Sequence, residues 1–164
     1  MPKPTQYATL ICTILMIVAI IGAVIGYTSH SPIVILVALL PAVVYEIYRT
    51  EGESTRASSW LMLAVLIAEA IFILFNINFD LGQYLGQSQT YIGGTYVPLG
   101  DIRVLAPTIL AILSAILFAR TAGIYTKWLS VIIFITSFVL IYVIAPTALS
   151  SLMKAAIERV FYYF

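Results

Sequence analysis

Charged residues are scarce in this chain, and their scarcity excludes most water-soluble folds. Only 9% of the 164 residues are charged and 62% are hydrophobic, whereas about a quarter of an ordinary soluble domain is charged. The formal net charge is +1, which gives no electrostatic basis for binding nucleic acid. Long apolar runs with so little charge predict an all-α integral membrane protein whose surroundings are the lipid bilayer.

Cysteine and histidine are almost absent. Cys12 is the single cysteine and His30 the single histidine, so the chain alone cannot build a disulfide framework, a bis-histidine haem site or a zinc site. It contains no P-loop, dinucleotide-binding fingerprint or nucleophile elbow. We therefore expect no cofactor, no metal ion and no catalytic residues, and the sequence favours a function other than catalysis.

Apolar runs of membrane-spanning length divide the chain. About 20 apolar residues cross the hydrocarbon core as a helix, and five segments approach that length. The predicted spans are 8–27, 33–48, 59–79, 104–119 and 128–149. Between and after them lie a polar outer loop of 24 residues and an amphipathic, aromatic tail, at 80–103 and 150–164. The prediction is a single membrane domain built as a bundle of about five transmembrane helices.

The basic residues predict the orientation of this bundle, because lysine and arginine flank cytoplasmic span ends more often than outer ones. With the N-terminus inside, five basic residues lie on the inner side and three on the outer side. The inner set is Lys3, Arg49, Arg56, Arg120 and Lys127, and the outer set is Arg103, Lys154 and Arg159. We expect a plasma-membrane protein with a cytoplasmic N-terminus and an outer C-terminus.

Small residues and a proline mark two features of the first hairpin of spans. Gly22 and Gly26 have the GxxxG spacing that lets helix backbones approach closely. They predict a close-packing face, either for self-association or, as we favour, against the second span. Pro41 removes a helical hydrogen bond within that span. It predicts either a functional hinge or an ordinary kink, and we favour the kink.

The outer loop contains a predicted β-hairpin. In "QTYIGGTYVP" a Gly-Gly pair separates two short β-prone runs, which is a hairpin signal. This register places Tyr91 opposite Tyr96, where aromatic pairs stabilise a hairpin. The hairpin is either an outer docking surface for a partner or a lid on the bundle, and the sequence favours neither.

Glu69 is the ionisable residue deepest within a predicted span, eleventh of the 21 residues in span three. No basic residue lies at its level, but hydroxyls do, on Ser114, Thr136 and Ser137. Asn76, seven residues further, is predicted to share its helix face. An unpaired carboxyl group inside a membrane is expected to be neutral and hydrogen-bonded within the bundle.

Three interpretations of Glu69 remain open. It is a proton or cation relay, a hydrogen-bond donor between helices, or the partner of a basic residue on another subunit. Glu46 near the inner end of span two has a simpler interpretation. With Arg49 three residues later, it predicts an interfacial ion pair flanked by Tyr45 and Tyr48.

Two functions follow from this sequence. The first and favoured one is a non-catalytic subunit or assembly factor of a larger membrane complex, because the chain is small and lacks cofactor ligands. Other membrane subunits, or further copies of the chain, would then be its partners. The second is a small proton- or cation-linked transporter or channel that uses the carboxyl group of Glu69.

Overall fold

Five long helices make up most of the described chain. The computed structural model describes residues 7–50, 52–77, 90–92, 95–97, 102–146 and 149. Each helix is long and apolar enough to cross a membrane, which confirms the prediction of five helices of spanning length. In chain order they are α1 (Ala8–Thr28), α2 (Pro32–Arg49), α3 (Glu53–Leu74), α4 (Ile102–Arg120) and α5 (Ile124–Ile144).

Two short strands lie between α3 and α4. Strands β1 (Thr90–Ile92) and β2 (Thr95–Val97) pair antiparallel, with Tyr91 opposite Tyr96. The predicted Gly-Gly turn and most of the predicted outer loop lie outside the described residues. So does the predicted amphipathic tail at 150–164. The turn and the tail therefore stay predictions.

Helix α3 differs from predicted span 59–79 at both ends. It begins at Glu53, whose carboxylate is favourable there because the N-terminal end of a helix is electropositive. It ends at Leu74. Hydropathy marks the apolar part of a helix and not its polar first turn, so the prediction began α3 too late. The prediction also placed the end of α3 too late, beyond Leu74.

The end of α3 is a Schellman cap centred on Asn76. The N–H of Ile77 donates to the Phe72 carbonyl at 2.9 Å, and the N–H of Asn76 donates to the Ile73 carbonyl at 3.2 Å. This pair of bonds defines the cap. Asn76 has a φ of 52°, a left-handed conformation that asparagine tolerates better than most residues. His30, with a φ of 50°, ends α1 with the same bond pattern.

Helix α5 is shifted along the chain relative to predicted span 128–149. It begins at Ile124 and ends at Ile144. Ala145 leaves the helical conformation, with φ −143° and ψ 80°, because a following proline disfavours helical backbone in the residue before it. Pro146 therefore follows α5 and does not interrupt it.

Each helix packs on the next one in the sequence, and contacts between α1 and α5 close the ring. Helix α1 packs on α2 and α5, α3 packs on α2 and α4, and α4 packs on α5, while α2 and α5 also meet. The main apolar core fills the space enclosed by α2, α3, α4 and α5. Its buried members are Ile35, Leu36, Leu39, Val43, Met62, Leu66, Leu110, Leu117, Ile133 and Leu140. A smaller cluster lies among α1, α2 and α5; its buried members are Cys12, Leu15, Ala42 and Leu129.

Helix α1 approaches α2 closely at two glycines. Gly22 is buried against Ala38 and Gly26 against Ile35, and a methyl group at either glycine would overlap these neighbours. The GxxxG spacing is thus used within the chain, for packing between α1 and α2. A dimer through these two glycines would need the face of α1 that α2 already covers.

The outer surface of the bundle is apolar. Only 22% of the apolar window of α1 is buried within the bundle. Its exposed large apolar side chains include Leu10, Ile14, Ile17, Ile20, Ile21, Val24 and Ile25. A water-soluble protein rarely exposes so continuous an apolar surface, whereas lipid tails would cover it.

Candidate functional site

Glu69 lies on the face of α3 that points into the core. The buried residues of α3 are three, four and three positions apart, which places them on one face of the helix. They are Ser59, Met62, Leu66 and Glu69. Met62 and Leu66 belong to the main apolar core. The side chain of Glu69 is 0% exposed, so its carboxyl group lies inside the bundle and not on the lipid-facing surface.

The carboxyl group of Glu69 has no hydrogen-bond partner in the described part of the chain, on either oxygen. The prediction that it is hydrogen-bonded to a neighbouring helix is therefore wrong for these residues. A buried polar group without a partner costs roughly 1–3 kcal/mol, and such groups are uncommon in native proteins. The position of Glu69 therefore opposes stability, which points to a role other than holding helices together.

Two contacts with neighbouring helices give the height of Glu69 in the bundle. At the end of the α2–α3 connection, called the inner end here, the Ser59 hydroxyl donates to the Thr50 hydroxyl at 3.2 Å. At the outer end, the Arg103 guanidinium donates to Asn76 Oδ1 at 2.6 Å. Glu69 is about 15 Å from Ser59 and about 10 Å from Asn76 along the helix direction. It therefore lies near mid-height, although α3 ends only five residues later.

The hydroxyls predicted to accompany Glu69 bond within their own helices. Ser114, Thr136 and Ser137 each donate to a backbone carbonyl three or four residues earlier, at 2.7–2.8 Å. All three side chains are buried, and their oxygens keep lone pairs that can accept a hydrogen bond. The structure brings none of them within hydrogen-bonding distance of Glu69.

Asn76 and Pro41 do not belong to this site. The prediction counted Asn76 along a continuous helix, but α3 ends at Leu74 and Asn76 is an exposed cap residue bonded to Arg103. Pro41 lies on the exposed face of α2. Val37, whose carbonyl loses its helical partner to the proline, is 65% exposed. The gap that Pro41 leaves in the hydrogen bonding of α2 is therefore on the outer face of the bundle.

Glu46 of α2 is a second buried carboxyl group. Its side chain is 0% exposed, so neighbouring helices enclose it, and the predicted interfacial ion pair with Arg49 stays a prediction. Its Oε1 accepts a hydrogen bond from the Thr50 hydroxyl at 3.3 Å, while its Oε2 has no hydrogen-bond partner among the described residues. Thr50 in turn accepts from Ser59. The polar cluster of Glu46, Thr50 and Ser59 thus links the inner ends of α2 and α3.

The sequence places Glu46 on one helix face with two apolar residues, although it does not show that this face is buried. Leu39, Val43, Glu46 and Thr50 follow one another at spacings of four, three and four, so they share one face of α2. All four are buried. Sequence reasoning missed this because it judged Glu46 by its distance from the end of the span and not by its helix face.

Arg49 contacts an aromatic ring at the inner end. Its guanidinium lies 4.9 Å from the centroid of the Tyr125 ring, within cation–π range. The Tyr125 hydroxyl shares a 3.0 Å hydrogen bond with the Thr9 hydroxyl of α1. A cavity of about 240 Å³ lies beside them, lined by Arg49, Thr121, Ala122, Gly123, Tyr125 and Thr126. The inner end is therefore the more polar end of the described bundle, and it joins α1, α2 and α5.

The predicted docking surface of Tyr91 and Tyr96 depends on side chains that lie outside the described structure, so it stays a prediction. Within the described ranges, no three His, Cys, Asp or Glu side chains are close enough to one another to hold a metal ion. The chemistry open to the site is that of two buried carboxyl groups, which gain and lose protons.

No protein-family model, curated protein or solved structure matches this chain. The geometry of Glu69 and Glu46 is therefore the basis for assigning a function.

Proposed function

We propose that this chain is a multi-pass integral membrane protein that carries protons across the membrane, with Glu69 as the group that binds the proton inside the bundle. The observation that carries the proposal is the carboxyl group of Glu69. It faces the core, is 0% exposed and has no hydrogen-bond partner among the described residues. Ionisable groups inside membrane bundles mark proton and ion pathways by default.

The two other interpretations of Glu69 have less support. A structural role between helices needs a hydrogen bond, and neither Glu69 oxygen forms one with a described residue. A partner for a basic residue of another subunit needs to reach the surface of the bundle, whereas Glu69 is fully enclosed by its own chain. A relay needs neither a permanent partner nor an exposed position.

A proton suits this carboxyl group better than a metal cation does. A dehydrated cation is held by several oxygen ligands at once, and no described group is hydrogen-bonded to the Glu69 carboxyl to form part of such a set. A proton needs only the carboxyl group itself. We therefore favour proton transport over the wider class of cation transport.

The test is a proton-flux measurement in reconstituted vesicles. The purified protein is placed in liposomes that contain a pH-sensitive dye, and a potassium gradient with valinomycin drives proton entry. We expect the wild-type protein to acidify the lumen faster than protein-free vesicles. Glu69→Gln should reduce the flux to the protein-free rate, because an amide cannot take up and release a proton at neutral pH.

Glu53→Gln is the matched control. It removes the same carboxyl group from the same helix, but at an exposed position in the first turn, so its flux should equal that of the wild type. The proposal fails if the wild type shows no flux above the protein-free rate, or if Glu69→Gln conducts as well as Glu53→Gln.

We further propose that the protein lies in the plasma membrane with its N-terminus in the cytoplasm and its C-terminus outside, because more basic residues flank the inner helix ends. Single cysteines introduced into a Cys12→Ala background test this. An impermeant maleimide should label Ser29→Cys, in the exposed α1–α2 turn, on intact cells. It should label Glu53→Cys only after permeabilisation, and the opposite result would reverse the orientation.

The function that the sequence favoured, a non-catalytic subunit or assembly factor, stays a hypothesis. One of its supports was that Glu69 finds a cation on another protein, and the burial of Glu69 weakens that support. Purification in mild detergent addresses it directly. A partner recovered at fixed stoichiometry, together with an absence of flux from the isolated chain, would favour the subunit over the proton carrier.

A further inference from the structure

Glu46 is a buried carboxyl group that the proposed role of Glu69 does not use. Its Oε2 is enclosed and has no hydrogen-bond partner among the described residues, although Oε1 accepts from Thr50. The Thr50 hydroxyl has a shorter bond, of 2.7 Å, to the backbone carbonyl of Glu46. Thr50 therefore does not need the Glu46 carboxyl group to satisfy its hydroxyl. Glu46 is thus poorly explained as a structural residue.

The contact between Thr50 and Ser59 relates the heights of the two carboxyl groups. Helices α2 and α3 run in opposite directions, so from this contact Glu46 lies about 6 Å along α2 and Glu69 about 15 Å along α3, both toward the outer end. The backbone positions of the two residues are therefore about 9 Å apart in height. Both lie on faces that contribute to the main core.

The layer between the two carboxyl groups is apolar on α2 and α3. Val43 and Leu66 occupy it, and both are buried core residues. Helix α4 adds a hydroxyl at this height. From the contact between Arg103 and Asn76, Ser114 is about 16 Å toward the inner end, against about 10 Å for Glu69. Ser114 is fully buried and its oxygen can accept a hydrogen bond.

We propose that Glu46 is the inner proton-exchange group, which passes protons to Glu69 along the seam between α2 and α3. This inference rests on the proposed function of Glu69. A proton from the inner side binds the Glu46 carboxylate and gives the carboxylic acid. The acid then donates its proton toward Glu69, so Glu46 becomes a carboxylate as Glu69 becomes an acid. Release from Glu69 to the outer side returns both groups to their starting state.

The distance between the two groups sets how the transfer occurs. The two carboxyl groups share no hydrogen bond, as a direct proton transfer over about 2.6–3.2 Å would need. The transfer therefore needs water molecules between the groups. The layer of Val43 and Leu66 excludes water when it is closely packed, so opening this layer controls the step.

Other titratable groups surround Glu46 at the inner end. Cys12 of α1 lies within electrostatic range of both Glu46 and Arg49, and Arg49 also acts on Tyr45. From α5, Tyr125 faces this cluster through its contact with Arg49. On its buried face, helix α3 contributes the Ser59 hydroxyl at the inner end, and the next ionisable group on that face is Glu69. Glu46 is therefore the only carboxyl group of the described inner end that is buried.

The experiment combines flux with infrared difference spectroscopy after a pH change. In the wild type we expect carboxyl C=O signals from both Glu46 and Glu69. Glu46→Gln should lose one signal and reduce the flux to the protein-free rate, while the Glu69 signal persists. Glu46→Asp, which keeps a titratable group, should retain part of the flux. Glu53→Gln should leave the flux and both signals unchanged.

These measurements separate the two proposals. If Glu69→Gln abolishes the flux while Glu46→Gln conducts at the wild-type rate, Glu46 is not on the path and Glu69 still carries the proton. If Glu46→Gln does not fold, the wild-type and Glu46→Asp spectra remain decisive. An absence of any pH-dependent carboxyl signal that differs between them would overturn the role of Glu46. An absence of flux from the wild type would instead refute the proposed function itself.

Discussion

Replacing Glu69 with leucine should stabilise the protein. The side chain is 0% exposed among core residues, and neither carboxyl oxygen has a hydrogen-bond partner in the described chain. Leucine is of similar size and its side chain has no polar atoms. It therefore suits the face of α3 on which Leu66 already packs in the apolar core. The substitution removes the penalty for an unpartnered buried polar group, roughly 1–3 kcal/mol. For a chain of this length that corresponds to a rise in Tm of about 2–12 °C.

The assay is unfolding of the purified protein in mixed micelles, by titration with SDS and by heating, because separation of the helices releases residue 69 from the enclosed core. Two comparison variants bracket the result. Leu66→Ala, one turn away and buried, should lose about 2–5 kcal/mol by leaving a cavity. Glu53→Leu, on the exposed first turn, should change stability by less than about 1 kcal/mol.

The same variant should lose proton flux, so stability and function should move in opposite directions. A Glu69→Leu protein that unfolds more easily than the wild type would refute the reasoning. It would mean that the carboxyl group has a stabilising partner in the folded protein, and Glu69 would then be a structural residue.

Three further predictions test the packing around the site. Gly22→Val should strongly destabilise the protein, because its side chain would overlap Ala38, whereas Ile25→Val on the exposed face of α1 should change the Tm little. His30 has a φ of 50°, so the His30→Val variant should be less stable than the His30→Gly variant by about 1–2 kcal/mol. Equal melting temperatures of the two variants would argue against the Schellman cap at the end of α1. Thr50→Cys with Ser59→Cys, in a Cys12→Ala background, should form a disulfide on mild oxidation, since the two native hydroxyls are 3.2 Å apart. Mass spectrometry after alkylation measures this bond, and two thiols that stay free would contradict the register of α2 and α3 from which the height of Glu46 is counted.

Helix number and approximate position could be predicted from the sequence because both depend on local properties. A run of about 20 apolar residues is long enough to cross a membrane whatever surrounds it, and five such helices are present. The end of α5 also has a local cause, in the proline that follows Ala145. The end of α3 was missed because Phe75, Ile77 and Phe79 continue the apolar residues past Leu74, while the cap depends on the backbone conformation of Asn76.

The tertiary structure alone decided which residues face inward and what they contact. In a membrane helix the lipid side and the core side are both apolar, so the spacing of apolar residues does not distinguish them. Glu69 and Pro41 both lie within predicted spans, yet one faces the core and the other faces outward. Glu46 looked interfacial by its position along the chain, yet the packing of neighbouring helices encloses it. By itself the sequence determined that this chain is a bundle of apolar helices with carboxyl groups in them. Only helix packing decided that two of those groups are enclosed in the same core.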